Sequence, residues 1–481
     1  MKIYQIVASL NFGDAIGNDV IAKKHVIEDM GIETEIYAGS VAAKITEPGV
    51  FTLDKMPKVN EDDIMIYHMG NGSPINHLVT ELNCRRIMFY HNITPYEFFA
   101  IDNINSVEGC RRGIEDMHTH MKGKFDAYIT ASQFSKDDLI KMGYKENLID
   151  VIPIIVPFDD YKQQPDEAMM RKLSDGVTNI LFVGRVAPNK KHEDIIRAFA
   201  YYKKHVNEKS RLILVGSHDP NGMYYNDIVS YVKKLGVEDV VFPGHISFAE
   251  ILAIYSKADV FLCMSEHEGF CVPLVEAMTF DVPVIAYNAC AVPETLGGAS
   301  VVVDDKDPVF LSKVINEVVE NEEMRKTIIE AQRKRLEDFQ YEKIKDTFQK
   351  FLRDFMAKYP PLNNDDSKKN YDKLYDLTEK NLEESGKTMQ FSKFALRTMA
   401  SRQAESVDVT ALINSGCSAH EFIEAFFLTF FGTLPSDTDF EYWENDEKTR
   451  GREAFLHTML EYARTADTRI MNGARMLYSP Y

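Results

Sequence analysis

The chain predicts an α/β protein in which two Rossmann-like domains face each other across a cleft, followed by a small all-α C-terminal module. Three observations predict this. The 481 residues are too many for one hydrophobic core and suit about three domains. Residues 1–165 alternate short apolar runs with helical stretches, the pattern of βαβ units, and residues 166–340 repeat the alternation. Residues 370–481 carry no such alternation and read as helical.

In the first half, Met1 to Leu10 is an apolar strand. The glycine-rich turn Asn11-Phe12-Gly13-Asp14-Ala15-Ile16-Gly17-Asn18-Asp19 then opens a helix to about Met30. Such a turn lets backbone approach a ligand closely. It is not Gly-x-Gly-x-x-Gly, and no acidic residue in the expected place supports a dinucleotide site. Tyr67-His68 ends another strand, making His68 a wall of the cleft or an ordinary structural histidine. Ile87-Met88-Phe89-Tyr90 brings His91 to the same C-terminal edge. Phe125 to Ser132 is a strand, Ser135 to Leu139 opens a helix, and Val151 to Pro157 is the last strand of this half. The polar stretch from Asp159 to Asp175 reads as the linker between domains.

The second half places strands near 180–184, 211–216, 239–242, 259–264, 282–286 and 300–303. The first ends at Gly184, and Arg185 and Lys190 stand on the loop before a helix running from His192 to about Val206. Two cations at a strand–loop–helix junction suit a diphosphate leaving group, whose charge grows as its bond breaks. Farther on, Ala258 to Met264 reads as a buried parallel strand, and Pro273 suits a helix start because its missing N–H costs nothing there. Glu268 therefore lies on the loop and Glu276 one turn into the helix, at the sheet edge where open α/β proteins bind ligands. The N–H groups of Gly269, Phe270, Cys271 and Val272 suit a phosphate, and the two glutamates suit sugar hydroxyls on either side of it. The bland alternative is a solvated basic loop, a loop carboxylate and a helix-start glutamate favoured by the macrodipole. It loses ground because both motifs occur together in one half of the chain, each after an apolar strand.

Composition narrows the partners. Apolar content of 45 % and aromatic content of 11 % are ordinary for a globular protein, and no run of 18 apolar residues spans a membrane. Ile3 to Leu10 is too short for a secretion signal. The six cysteines, Cys84, Cys110, Cys263, Cys271, Cys290 and Cys417, form no Cys-x-x-Cys pair, which argues against zinc and disulfides and fits a reducing cytosol. A net charge of −19 disfavours nucleic acid and bulk attraction to anionic membrane. Arg85 with Arg86, and Arg111 with Arg112, are the local basic pairs left for a peripheral membrane contact, though such pairs are usually solvated faces.

Several of these motifs together resemble the retaining glycosyltransferases of family four. They are Glu268-x7-Glu276 enclosing Gly269, Phe270 and Pro273, the Ala258-Asp259-Val260-Phe261 lead-in, Val282 to Ala286, and Gly184-Arg185-x4-Lys190. The resemblance spans residues 1 to about 358 and implies the two-domain glycosyltransferase-B architecture, with a crossover helix at 341–358 returning to the first domain. It implies that Glu268 contacts the transferred sugar, Glu276 holds the ribose, and Arg185 and Lys190 clamp the diphosphate. His91 then lies close to the sugar, and the loop at Gly13 faces donor phosphate and acceptor. Two departures are Cys271 and Lys191, which stand where the family commonly has glycine.

The implied activity is retaining transfer of a hexose-type sugar from a nucleoside-diphosphate sugar to a glycan, lipid-linked or protein-linked acceptor in surface glycan assembly. It would need no cofactor or metal, no Asp-x-Asp motif being suitably placed to hold one, and would act in the cytoplasm or at the inner face of the membrane. The alternatives are a nucleotide-sugar 2-epimerase of the same fold, or a silent relative that positions an active partner protein through residues 370–481. Pro360-Pro361 and the polar run to Ser367 separate that module. In it, Phe422 to Phe431 reads as a buried helix stopped at Gly432, Arg452 to about Arg464 as another, and Trp443 as a core residue.

Overall fold

The computed structural model describes residues 1–362, except Phe12, 101–103 and His245, and from the C-terminal module residues 418–426, 437–452, 454–455 and 458. Among these, seven parallel strands build the first sheet: β1 (Ile3–Val7), β2 (Thr34–Ala38), β3 (Val50–Thr52), β4 (Ile64–Met69), β5 (Arg85–Tyr90), β6 (Ala127–Thr130) and β7 (Ile149–Val151). Their order is β3-β2-β1-β4-β5-β6-β7. The second sheet holds β8 (Thr178–Val183), β9 (Ser210–Val215), β10 (Val240–Val241), β11 (Val260–Cys263), β12 (Val284–Tyr287) and β13 (Val301–Val303), ordered β10-β9-β8-β11-β12-β13. Helices cover both faces of such parallel sheets, so their strands are continuous apolar runs; all six residues of β4 are buried. Strand order reverses between β1 and β4 and between β8 and β11, which opens a crevice at the C-terminal ends of those strands. The loops carrying Gly13, Arg185 and Glu268 follow β1, β8 and β11.

The crossover helix is Tyr341–Lys358. It lies against the first helix, Ala15–Asp29, through Lys345 to Asp29 at 2.6 Å and the Gln349 side-chain amide donating to the Val26 carbonyl at 3.4 Å. Just beyond it, the Tyr359 carbonyl accepts from Arg85 Nη1 at 3.0 Å.

Two expectations need correction, and two helices fall where the sequence reading placed no particular element. The strand expected over 151–157 ends at Val151, because Pro153 and Pro157 lack ladder donors; Ile152, Ile154, Ile155 and Val156 pack instead as a buried irregular segment. The expected linker, Asp159 to Asp175, holds a helix. Glu167–Leu173 is a helix capped by Asp166, whose carboxylate accepts from the Met169 N–H at 2.7 Å, and it packs on the second-domain helix Phe248–Lys257. Arg85 and Arg86 are not a surface patch. Arg85 is 2 % exposed, and both guanidinium groups satisfy backbone carbonyls, of Asp62 and Tyr359 for Arg85 and of Thr80 for Arg86. In the C-terminal module, Asp437–Arg450 is a helix that the sequence pattern did not announce.

The preceding helix of the module, Ala419–Phe426, packs on it, and Trp443 meets Phe455 edge-on at 5.7 Å, a packing role. The helix expected on to Phe431, its stop at Gly432 and most of Arg452–Arg464 lie outside the described residues. Among the described residues, no helix is long and apolar enough to cross a membrane.

Candidate active site

The second domain contributes two laced loops. Asn189 accepts at its carbonyl from the Glu266 N–H at 2.9 Å and donates its amide to the His267 carbonyl at 3.1 Å. This brings Lys190 against Glu268, Nζ to Oε1 at 2.6 Å, with both side chains mostly buried. Burial alone would lower the ammonium's pKa, but the Glu268 charge overrides it and the net shift is upward. Arg185 is exposed, and its guanidinium has no ion-pair partner among the described residues. It lies close enough to Asp14, at the start of the first helix, to oppose the rise that burial imposes on that carboxyl.

The two departures from glycine fall where the backbone is left-handed: Lys191 at φ 53° and Cys271 at φ 71°. Both turns are therefore kept, with a non-glycine residue bearing the strain. Lys191 is held there by Glu266 at 3.3 Å, and Cys271 caps the helix Val272–Thr279, whose second residue is Pro273. Phe270 turns its ring edge-on to Phe339 at 5.6 Å and gives its carbonyl to the Thr295 hydroxyl at 2.5 Å, so what remains for a ligand is its N–H. Cys263, Glu268 and Cys271 place their ligating atoms within 4.8 Å of one another, a grouping invisible to a search for Cys-x-x-Cys. With Lys190 ion-paired to Glu268, that set already contains its own cation.

Glu276 is clamped. Tyr161 donates to Oε1 at 2.9 Å and Tyr255 to Oε2 at 2.7 Å. Burial raises the carboxyl's pKa, and the two hydroxyls act against that rise. Sequence reasoning missed both tyrosines: Tyr161 sat in the assigned linker, and Tyr255 lies in no motif.

From the first domain, Gly13 takes φ 73°, and a Cβ there would touch nothing within 4 Å, so backbone conformation explains this glycine. His91 stacks on Phe89 and joins a relay. The Gln5 amide N–H donates to the Val20 carbonyl at 3.1 Å, which fixes the Gln5 oxygen toward His68 Nε2 at 3.0 Å. His68 Nε2 must then donate, leaving Nδ1 to accept from His91 Nε2 at 3.0 Å. The remaining nitrogen, His91 Nδ1, is an acceptor, buried and without a hydrogen-bond partner among the described residues. His68 is thus a buried supporting residue behind His91.

Burial, with the neighbouring Lys23 charge, lowers the His91 pKa to about 3 and holds His68 well below the ordinary 6.5; at His68 the His91 charge acts too. Burial beside Lys190 lowers His192 to about 3. All three are neutral when folded, and unfolding frees them to protonate near 6.5. Their stability contribution is therefore complete above pH 6.5 and is lost as pH falls below it. At pH 5.5 each is expected to cost about 1.4 kcal/mol, roughly 4 kcal/mol in all. Urea unfolding at pH 7.5 and 5.5 measures this, and equal stabilities would rule it out.

At the seam between domains, a Cβ on Gly269 would stand 2.8 Å from Asn92 Cβ and 3.0 Å from the His91 carbonyl oxygen. This glycine admits the His91-Asn92 loop. Its carbonyl accepts from the Ser132 hydroxyl at 2.7 Å, and Glu294 accepts from the N–H groups of Gln133 and Phe134 at 2.6 and 3.1 Å. The helix Gln133–Lys141 of the first domain thus starts on a carboxylate of the second. Asn92, Ser132 and Glu294 were not singled out from sequence, since none lies in a motif.

Two doubly wound parallel sheets, with a cationic loop and two glutamates of one facing a histidine loop of the other, place the chain in the glycosyltransferase-B fold class. Within it, residues 167–335 match the family described as glycosyl transferases group 1. The chain is similar to O-antigen chain mannosyltransferase B of Escherichia coli, 23 % identical over 250 residues, which are 50 % of this chain and 63 % of that protein. It is also similar to an α-1,4-N-acetyl-D-galactosaminyltransferase of Campylobacter jejuni, 28 % identical over 36 % of this chain and 47 % of that one. The matches thus span less than two thirds of either relative. Among solved structures, Anabaena HepE in complex with UDP-glucose superposes with a TM-score of 0.60 at 19 % identity, over 74 % of this chain and all of that one. WaaG, a glycosyltransferase involved in lipopolysaccharide biosynthesis, gives 0.56 at 16 % identity, over 72 % and 99 %.

Proposed function

We propose that the protein is a retaining glycosyltransferase that moves a hexose-type sugar from a nucleoside-diphosphate sugar to a glycan, lipid-linked or protein-linked acceptor in surface glycan assembly. The observation that carries the reading is the convergence of Arg185, the Lys190–Glu268 pair and Glu276 at the C-terminal edge of one sheet, opposite His91 and the Gly13 loop of the other. The donor diphosphate lies on Arg185, Lys190 and the N–H groups of Gly269, Phe270, Cys271 and Val272. Lys190 is then shared between Glu268 and phosphate, and Arg185 takes up the charge that develops as the glycosidic bond breaks. Glu276 accepts from the ribose hydroxyls and Glu268 from hydroxyls of the sugar. Cations and a helix start neutralise the leaving group, so the reaction runs without a divalent metal. The departing phosphate oxygen takes the acceptor's proton on the same face of the sugar, which gives retention, and His91 orients the sugar beside it. The relatives named as mannosyl- and N-acetylgalactosaminyltransferases, and the neighbour solved with UDP-glucose, support this donor class.

A thermal-shift and hydrolysis screen against UDP-, GDP- and ADP-sugars, in EDTA, tests the reading. One nucleotide should raise the melting temperature, and Arg185→Ala or Glu276→Ala should abolish the rise. No response to any donor would leave a silent subunit, and epimerised product without acceptor would identify an epimerase. Tyr161→Phe is expected to weaken binding of the responding nucleotide about tenfold, about 1.4 kcal/mol, because Glu276 loses a hydrogen bond that positions its carboxyl and opposes the rise in pKa that burial imposes. Calorimetry checks it, and unchanged or tighter binding would overturn it.

A further inference from the structure

Asn92, directly after His91, carries three marks that its neighbours do not share together. Its backbone is left-handed, at φ 66°, in a residue with a side chain. That side chain is 9 % exposed, and neither its amide nitrogen nor its amide oxygen has a hydrogen-bond partner among the described residues. Its Cβ also lies against Gly269, on the loop that holds Glu268. Burying both ends of a carboxamide unpaired, in a strained backbone, opposes folding twice over, and such arrangements cluster where a ligand completes them. His91 Nδ1, one residue away, is a third buried polar atom without a partner, and the relay through His68 and Gln5 makes it an acceptor. One donor group and two acceptor atoms on consecutive residues complement neighbouring hydroxyls of a sugar ring, each of which can both give and take a hydrogen bond.

We propose that Asn92 is a specificity-determining residue whose carboxamide binds hydroxyls of the transferred sugar at the domain seam. This rests on the transferase reading above and adds to it a residue that no motif marks. It also fits the requirement for glycine at 269, since any side chain there would displace Asn92 from the seam.

Asn92→Gly separates ligand binding from structure. Glycine adopts φ 66° freely and has no amide to bury, so the variant should melt at the wild-type temperature or higher. Its kcat/KM for the donor that the wild type turns over should nevertheless fall at least tenfold, while calorimetry of bare UDP or GDP, whichever the wild type binds, stays within twofold. Asn92→Asp, which keeps the shape but removes the amide donor, should show the same split. Unchanged kcat/KM in Asn92→Gly would overturn the proposal, because water or protein would then satisfy the amide. So would a parallel loss of nucleotide binding in both variants, which would mark a purely structural loop. A wild type inactive with every donor would instead defeat the transferase reading on which the proposal stands.

Discussion

Replacing Lys190 by alanine is expected to lower kcat/KM for sugar transfer about 10²- to 10³-fold, about 2.7–4 kcal/mol of transition-state stabilisation. The ammonium is preorganised: its loop is laced to the glutamate loop through Asn189, and Glu268 holds it at 2.6 Å before any substrate arrives. It needs no reorientation as negative charge builds on the leaving phosphate. Stability changes as well, since Glu268 is only 7 % exposed and would lose its counter-charge. Breaking a buried pair by removing one partner typically costs about 3–5 kcal/mol. The double variant Lys190→Ala/Glu268→Gln separates the two effects. It should regain much of the lost stability, because no buried charge remains, and none of the lost activity. Urea denaturation and steady-state kinetics on both variants measure this. A single variant that keeps more than about a tenth of wild-type kcat/KM would remove Lys190 from the diphosphate site.

The second large effect is structural. A Cβ on Gly216, at the end of β9, would lie 2.0 Å from the Gly184 carbonyl oxygen and 3.1 Å from the Arg185 N–H nitrogen. These neighbours are backbone, so no rotamer change relieves the clash, and the two strand ends are tied there by the Gly184 N–H donating to the Val215 carbonyl at 2.8 Å. Gly216→Ala is expected to destabilise the second domain by about 3 kcal/mol, the upper end for overpacking, and to displace Arg185 enough to weaken nucleotide binding. Chemical unfolding reports the first effect and calorimetry the second. A variant within about 1 kcal/mol of wild type would show that the strand ends separate easily.

The placement of Arg185, Lys190 and Glu268 at a sheet edge was legible because each stands on the loop after a recognisable strand, and that of Glu276 because Pro273 marks the start of the helix that holds it. The two departures from glycine were legible as departures, but their consequence was not. Only the dihedral angles at Lys191 and Cys271 reveal that the left-handed turns survive with side chains in place. The strand boundary near Val151 was misplaced because the prolines after it cannot pair in a ladder, and the helix inside the linker went unannounced because local capping outweighs average polarity there.

By itself, the sequence determined the two βα alternations, the strand ends that carry charge, and the sheet edge they share, because side-chain periodicity and loop position are local properties of a chain. Tertiary structure alone decided the pairings. It closed Lys190 onto Glu268, capped Glu276 with tyrosines from two separate segments, oriented His91 through His68 and Gln5, and set Asn92 against Gly269. Each of these joins residues far apart in the chain, through distances and hydrogen-bond directions that exist only once each sheet has folded and, for Asn92 and Gly269, once the two sheets have met.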